Sequence, residues 1–245
     1  MRKFETYGRT LPGSNLEELS GWLIVIEGTD GAGRTTHVNR LKSQLAHLGY
    51  AVAETGLTRS DLASKGIRRA KEGNTLGSDA FNLFYATDFA DRLERQIVPA
   101  LRAGFVMLTD RYTYSLIARA IVRGADPDWI KQVYSFSLKP DAVFYLRIEA
   151  PDLVPRVLAS GGFDYWESGM DLPMGSDLYE SFINYQSRVI EELDSLAREF
   201  QFETLDVTQP VDTVSDELFR RVSQLLEAST RGRDDEPTPA KERCL

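Results

Sequence analysis

Gly28 and Gly33 bracket Thr29, Asp30, Gly31 and Ala32, and Arg34, Thr35 and Thr36 follow at once. This is the spacing of a loop that cradles phosphate. The glycines let the backbone curl around an anion, N–H groups at a helix start donate to it, and the Thr35 hydroxyl can reach a Mg²⁺ ion. One position departs from the pattern, because Arg34 stands where lysine is expected. A guanidinium still brings positive charge to the terminal phosphates. It is planar and bulkier than an ammonium, so the exchange predicts weaker catalysis or a shifted donor pose. The bland alternative is a glycine-rich turn between strand and helix.

A second cluster has chemistry of the same kind. Asp110 closes the apolar run 105–109 and is placed like the strand-end carboxylate that positions Mg²⁺, directly or through water. Its plain alternative is a helix N-cap. Arg111 follows, with a fork able to grip a phosphate bidentately; surface ion pairing is the other reading. Phosphoryl transfer needs a cradle for the donor, a metal holder, positive charge on the moving group and an acceptor held in line. The chain offers candidates for each.

These residues need a sheet to bring them together. The run 22–26 is continuously apolar, as in a parallel strand buried on both faces. Val38, Leu41, Leu45 and Leu48 then recur at helical spacing over 33–48 until Gly49, and 50–54 is the next strand. The polar interval 55–78 carries Arg59, Lys65, Arg68, Arg69 and Lys71, either a solvated helix face or a surface meeting an anionic substrate. Phe81, Tyr85, Phe89, Leu93, Ile97 and Leu101 predict one long helix with Pro99 near its end.

Further helices are expected over 112–122, 127–138, 178–196 and 214–225, with strands at 105–109, 142–148 and 202–207. The stretch 151–173, with Gly161, Gly162 and Gly169, reads as an irregular mobile loop whose Phe163, Tyr165 and Trp166 either pack it onto the body, the favoured reading, or close over a base. The alternation of strand and helix predicts an α/β fold with a parallel sheet. Parallel strands lift their C-terminal ends to one edge, so the two clusters should meet there. Residues 1–20 read as an N-terminal extension ending in a short helix, 21–228 as the catalytic domain, and 229–245 as a disordered C-terminal tail.

At 245 residues the chain suits one domain with a substantial core. Its net charge of −8 supplies no general attraction to nucleic acid or anionic membranes, so stable nucleic acid binding is not expected. Cys244 is the lone cysteine, which excludes an internal disulfide, and Glu242 stands where a prenylation box needs cysteine. No apolar run approaches the ~20 residues of a membrane span, and no signal-peptide core is seen, so a cytoplasmic location without membrane contact is expected.

Several segments together carry a family resemblance. They are the loop Gly28 to Thr36; Leu83, Phe84, Tyr85, Ala86, Thr87 and Asp88; Pro99 to Leu101; Asp110, Arg111 and Tyr112 with Ser115; Lys139, Pro140 and Asp141 leading to Tyr145; Arg156; and Leu205 to Pro210. Over 21–228 the chain resembles the thymidylate kinase-like family of P-loop nucleoside monophosphate kinases. The resemblance implies a three-layer α/β/α sandwich with a five-stranded parallel sheet, a lid segment, a homodimer, ATP and Mg²⁺ as cofactors, and nucleotide substrates with dTMP as leading acceptor.

It assigns roles as well. Gly28, Thr29, Asp30, Gly31, Ala32, Gly33, Arg34, Thr35 and Thr36 hold ATP phosphates, with Thr208, Gln209 and Pro210 near the adenine. Thr35 and Asp110 hold the metal, and Arg34, Asp110, Arg111 and Arg156 are catalytic. Asp30 approaches the acceptor sugar, Phe84 or Tyr85 stacks on its base, and Arg111, Tyr112 and Ser115 serve the acceptor.

The chain also departs from that pattern. Gly56, Leu57, Thr58 and Arg59 replace an Arg-Glu-Pro-Gly-Gly segment. Phe89 replaces an arginine, with Arg92 one turn on. Ala118, Arg119 and Ala120 replace Ala-Tyr-Gln, which removes a glutamine that would read thymine. Arg147 replaces a strand-end aspartate, and Asp164, Glu167 and Asp171 give the lid the wrong sign. Two alternatives follow: a weakened or inactive nucleotide-binding regulatory protein, or a kinase whose Arg59, Arg92 and Arg119 hold a different small acceptor.

Overall fold

The computed structural model describes residues 4–10, 15–73 and 76–234. Leucine, isoleucine and valine fill β1 (Trp22–Gly28), whose residues beyond Trp22 are all buried. That pattern follows from its central place, where both faces are covered. β1 pairs in parallel with β3 (Val106–Asp110) on one side and β4 (Ala142–Arg147) on the other. β2 (Val52–Gly56) and β5 (Glu203–Asp206) take the edges, giving the five-stranded parallel order β2-β3-β1-β4-β5. The register sets Ile26 against Asp110 and Gly28 against Leu146. Both candidate clusters therefore leave the sheet at one edge, beside the reversal of strand order where α/β sheets bind ligands.

Helices cover both faces. On one, α1 (Arg34–His47) lies beside α9 (Val211–Asp234), and Val38, Leu41 and Leu45 share a core with Val214, Leu218 and Val222. His37 Nδ1 joins Ser215 Oγ across that contact at 2.9 Å. On the other face, α5 (Thr113–Val122) and α8 (Leu178–Glu199) pack with Phe89 of α3 (Ser78–Arg92). The expected three-layer sandwich is present.

Several boundaries differ from the sequence reading. The long helix is α3 and α4 (Val98–Arg102) joined by a π turn, Leu93–Ile97, in which Val98 N–H bonds to Leu93 O just ahead of Pro99. The helix expected over 127–138 is α6 (Pro127–Val133), capped by Asp126, which accepts from Trp129 N at 2.8 Å. The stretch read as an irregular loop begins with a helix, α7 (Ala150–Ala159). Pro151 sits in its first turn, where a missing N–H costs nothing, and Leu153 and Val157 are buried.

The rest of that stretch is pinned to the body. Ser181 Oγ donates to Ser168 O at 2.8 Å, and Gln186 Nε2 donates to Glu167 O at 2.7 Å. Arg123 donates to Asp171 at 3.0 Å and to Trp166 O at 2.8 Å.

The basic interval forms α2 (Ser64–Gly73), which buries Ile67 and Ala70 and leaves Lys65, Arg68 and Arg69 in solvent. Before β1, Asn15 caps a single 3₁₀ turn, Leu16–Glu18. Earlier residues join the fold: Phe4 is buried, Thr6 bridges Leu138, and the Tyr7 ring meets Phe200 edge-on at 5.2 Å. α9 runs on to Asp234, and the tail from 235 lies outside the described residues.

Candidate active site

The phosphate loop is built by close approach. A Cβ on Gly28, at φ 151°, would stand 2.9 Å from Leu146 O. One on Gly31, at φ 81°, would stand 3.0 Å from Val157 Cγ2, where α7 packs under the loop. Only glycine fits both conformations. α1 starts at Arg34 without a side-chain cap, so its first-turn N–H groups are left for an anion.

Arg34 turns its guanidinium back along this loop. Nε donates to Asp110 Oδ1 at 2.7 Å, while Nη1 donates to Gly28 O at 2.6 Å and also to Thr29 O. Thr35 Oγ1 donates to the other oxygen of Asp110 at 2.8 Å. The two proposed metal ligands thus touch directly. Among the described residues no group of three or more His, Cys, Asp or Glu side chains is arranged to hold a metal. A hydroxyl and one carboxylate are nevertheless hard oxygen donors of the sort that suit Mg²⁺, whose remaining ligands are usually water and substrate phosphate.

Asp30 collects cations. Arg111 and Arg119 each donate to one of its oxygens, and Arg34 Nη2 lies 3.8 Å away. Arg111 has φ 69°, fixed by its N–H to Ile26 O at 3.0 Å. Burial, followed by the neighbouring Arg119, lowers its pKa to about 9, so it remains a cation at neutral pH. The guanidinium groups outnumber the carboxylates here, which suits an anionic ligand.

Behind Arg111 lies a residue that sequence reasoning missed. Glu27, fully buried, accepts from Tyr112 N at 2.8 Å, from Ser115 N at 3.3 Å and from the Ser115 hydroxyl. Burial raises its pKa, and the hydrogen bonds oppose the shift. It ties the start of α5 to the end of β1. Its signal was available: a single charge in an otherwise apolar strand.

In front of these groups is a cavity of about 240 Å³, lined by Arg34, Arg59, Lys71, Arg111 and Arg119, with Asp110 and Glu167 as its acids. Next to it, sharing Lys71, Tyr85, Arg119 and Glu167, is an aromatic cleft of about 30 Å³ between Phe81, Tyr134 and Trp166. Trp166 stacks on Phe81 at 5.5 Å and 29°. Of the two stacking candidates, Tyr85 reaches the cleft. Phe84 is instead 39% exposed and leans over α2, where a Cβ on Gly66 would meet its ring at 2.7 Å.

Other expected site residues sit elsewhere. Tyr112 is in the core, its hydroxyl on Leu138 O at 2.9 Å and its ring against Phe89, and the Ser115 hydroxyl is turned to Glu27. Arg92 is fully buried and pairs with Asp88 at 3.2 Å. Asp88 also accepts from Thr58 N and Ser60 N, each at 3.1 Å, and so holds the turn that carries Arg59 to the cavity. Arg156 donates to Val207 O, beside Thr208, Gln209 and Pro210, which form an exposed turn.

The departures also find places. Arg147 pairs with Asp194 at 3.0 Å and Glu149 at 2.8 Å, away from the cavity. Asp171 is engaged by Arg123, and Asp164 accepts from Trp166 N at 2.8 Å and Glu167 N at 3.0 Å. Of the three lid acids, Glu167 alone lines the cavity. Phe163 packs on Phe182 at 4.7 Å, as expected, whereas Trp166 faces the cleft. Among the described residues no helix is long and apolar enough to cross a membrane.

Comparison with known proteins agrees with this architecture. The family model described as thymidylate kinase matches residues 26–218. The chain is 36% identical over 213 residues to "Probable thymidylate kinase 2" of Saccharolobus solfataricus, covering 86% of this chain and 100% of that protein. It is 30% identical over 213 residues to "Probable thymidylate kinase" of Thermococcus kodakarensis, covering 83% and 98%. With "Thymidylate kinase" of Halothermothrix orenii it shares 27% identity over 214 residues, covering 85% and 99%. The matched span contains the phosphate loop, Asp110 and the whole sheet apart from the first residues of β1; the chain belongs to the thymidylate kinase family of P-loop nucleotide kinases.

Proposed function

We propose that this protein transfers the γ-phosphoryl group of ATP to dTMP, giving ADP and dTDP. The observation that carries the reading is the cation-lined cavity of about 240 Å³ beside the phosphate loop, large enough for a phosphate and adjoining an aromatic cleft that shares Tyr85. The names of the relatives support the choice of acceptor.

In this reading the loop backbone and the first turn of α1 cradle the donor phosphates. Thr35 and Asp110 would hold Mg²⁺, which would supply charge that neutralises the donor phosphates. Arg34 leaves Asp110 to follow the moving phosphoryl. Arg59, Arg111 and Arg119 hold the acceptor phosphate, Asp30 faces the sugar, and Tyr85 meets the base. The adenine lies against Thr208, Gln209 and Pro210, with Arg156 close to the donor.

The test is product formation from a panel of nucleoside monophosphates with ATP and Mg²⁺. Formation of dTDP by the wild type, lost in Asp110→Ala, is expected. If no nucleotide is phosphorylated above the level of that variant, the reading is wrong. One observation favours a second reading, a weakened catalyst: the pairing of Arg34 with the carboxylate that would hold the metal.

A further inference from the structure

The cleft beside the cation cavity contains a polar group with nothing to bond. Asn82 lies on α3, three residues before Tyr85 and hence on the same face. It lines the cleft, and its Nδ2 is buried with no hydrogen-bond partner among the described residues. Such an amide carries a penalty that a ligand can remove. The facing wall, on α5, includes Ala120, whose methyl group offers a ligand no hydrogen bond. Asn82 brings a carboxamide into the same cleft from the other side.

We propose that Asn82 reads the acceptor base through its Watson–Crick edge. This rests on the acceptor site proposed above and adds the residue that selects the base. A carboxamide offers a donor and an acceptor side by side, complementary to O4 and N3–H of thymine or uracil. The cleft has room for about one water, so binding a ring requires the Trp166 side chain to leave Phe81. The smaller pyrimidine ring is the better fit.

The experiment is calorimetric titration of the full chain, without ATP, by dTMP and by its N3-methyl derivative, for wild type and Asn82→Leu. Leucine keeps the volume and removes both hydrogen-bonding groups. The variant should bind dTMP about tenfold more weakly, the loss of one or two hydrogen bonds. N3-methyl-dTMP should bind wild type and variant alike, because the methyl group already blocks the edge. A loss of the same size for both ligands would mean that Asn82 only shapes the cleft, and would overturn the proposal. So would tighter binding of purine than of pyrimidine monophosphates by wild type. If wild type binds no nucleoside monophosphate at all, the acceptor site itself falls, and the inference with it. If it binds and phosphorylates dTMP but the two ligands respond identically to the substitution, the role of Asn82 alone is refuted.

Discussion

The Arg34 guanidinium lies 2.7 Å from the Asp110 carboxylate, a contact that spends the loop's cation on the group expected to hold the metal. Because Nη1 is also bonded to Gly28 O and Thr29 O, the side chain is anchored at both ends of its fork. In the proposed reaction a donor nucleotide has to draw it off.

Arg34→Lys removes that fork. An ammonium cannot hold Asp110 and two loop carbonyls in the same geometry, so it is freer to follow phosphate. The expected outcome is a rise in kcat on the order of tenfold, about 1.4 kcal/mol of barrier, with little change in KM for the acceptor. Steady-state kinetics with dTMP checks it. An unchanged or lower kcat would show that the surroundings of the loop have adapted to arginine.

Glu27 gives a pH signature. Burial raises its folded pKa above the ordinary 4.5, so the folded state binds its proton more tightly than the unfolded chain does. The associated stability is fully present below 4.5 and is lost as pH rises through the folded pKa. Glu27→Gln keeps an oxygen for Tyr112 N and Ser115 N and cannot ionise. Urea unfolding from pH 4 to pH 8, as an approximate range, should show a flatter profile for the variant than for wild type. Parallel profiles would contradict this assignment.

Arg123 holds the lid. It reaches Asp171 at 3.0 Å, Trp166 O at 2.8 Å and the Tyr185 hydroxyl, and its guanidinium lies 4.6 Å from the Tyr185 ring centroid. Arg123→Ala strands a largely buried carboxylate, at a cost of about 3–5 kcal/mol. The variant should melt earlier and be cut faster by protease within 160–177. A melting temperature equal to that of wild type would mean that the other lid contacts suffice.

What the sequence discloses depends on how local each signal is. The phosphate loop and β1 are legible because glycine spacing and an unbroken apolar run need no distant partner. α7 was hidden by Pro151 and Pro155, although Pro151 is a helix-start residue and Ala150, Leu153 and Val157 have helical spacing. The meeting of Arg111 and Arg119 on Asp30 is a tertiary event, joining positions some eighty residues apart or more. Arg92 is legible as a cation but not as the buried partner of Asp88, since its side of α3 is chosen by packing. For the same reason Phe84 and Tyr85 could not be told apart until the helix was placed.

Tyr7 bears on the order in which this chain can be completed. Its ring docks on Tyr114 and Phe200, and the adjoining Thr6 on Leu138. Tyr7 therefore has no complete seat until Phe200, far along the chain, is in place. Contacts that span so much sequence carry a large loop-closure entropy, which sets this docking apart from the local turns that form cheaply.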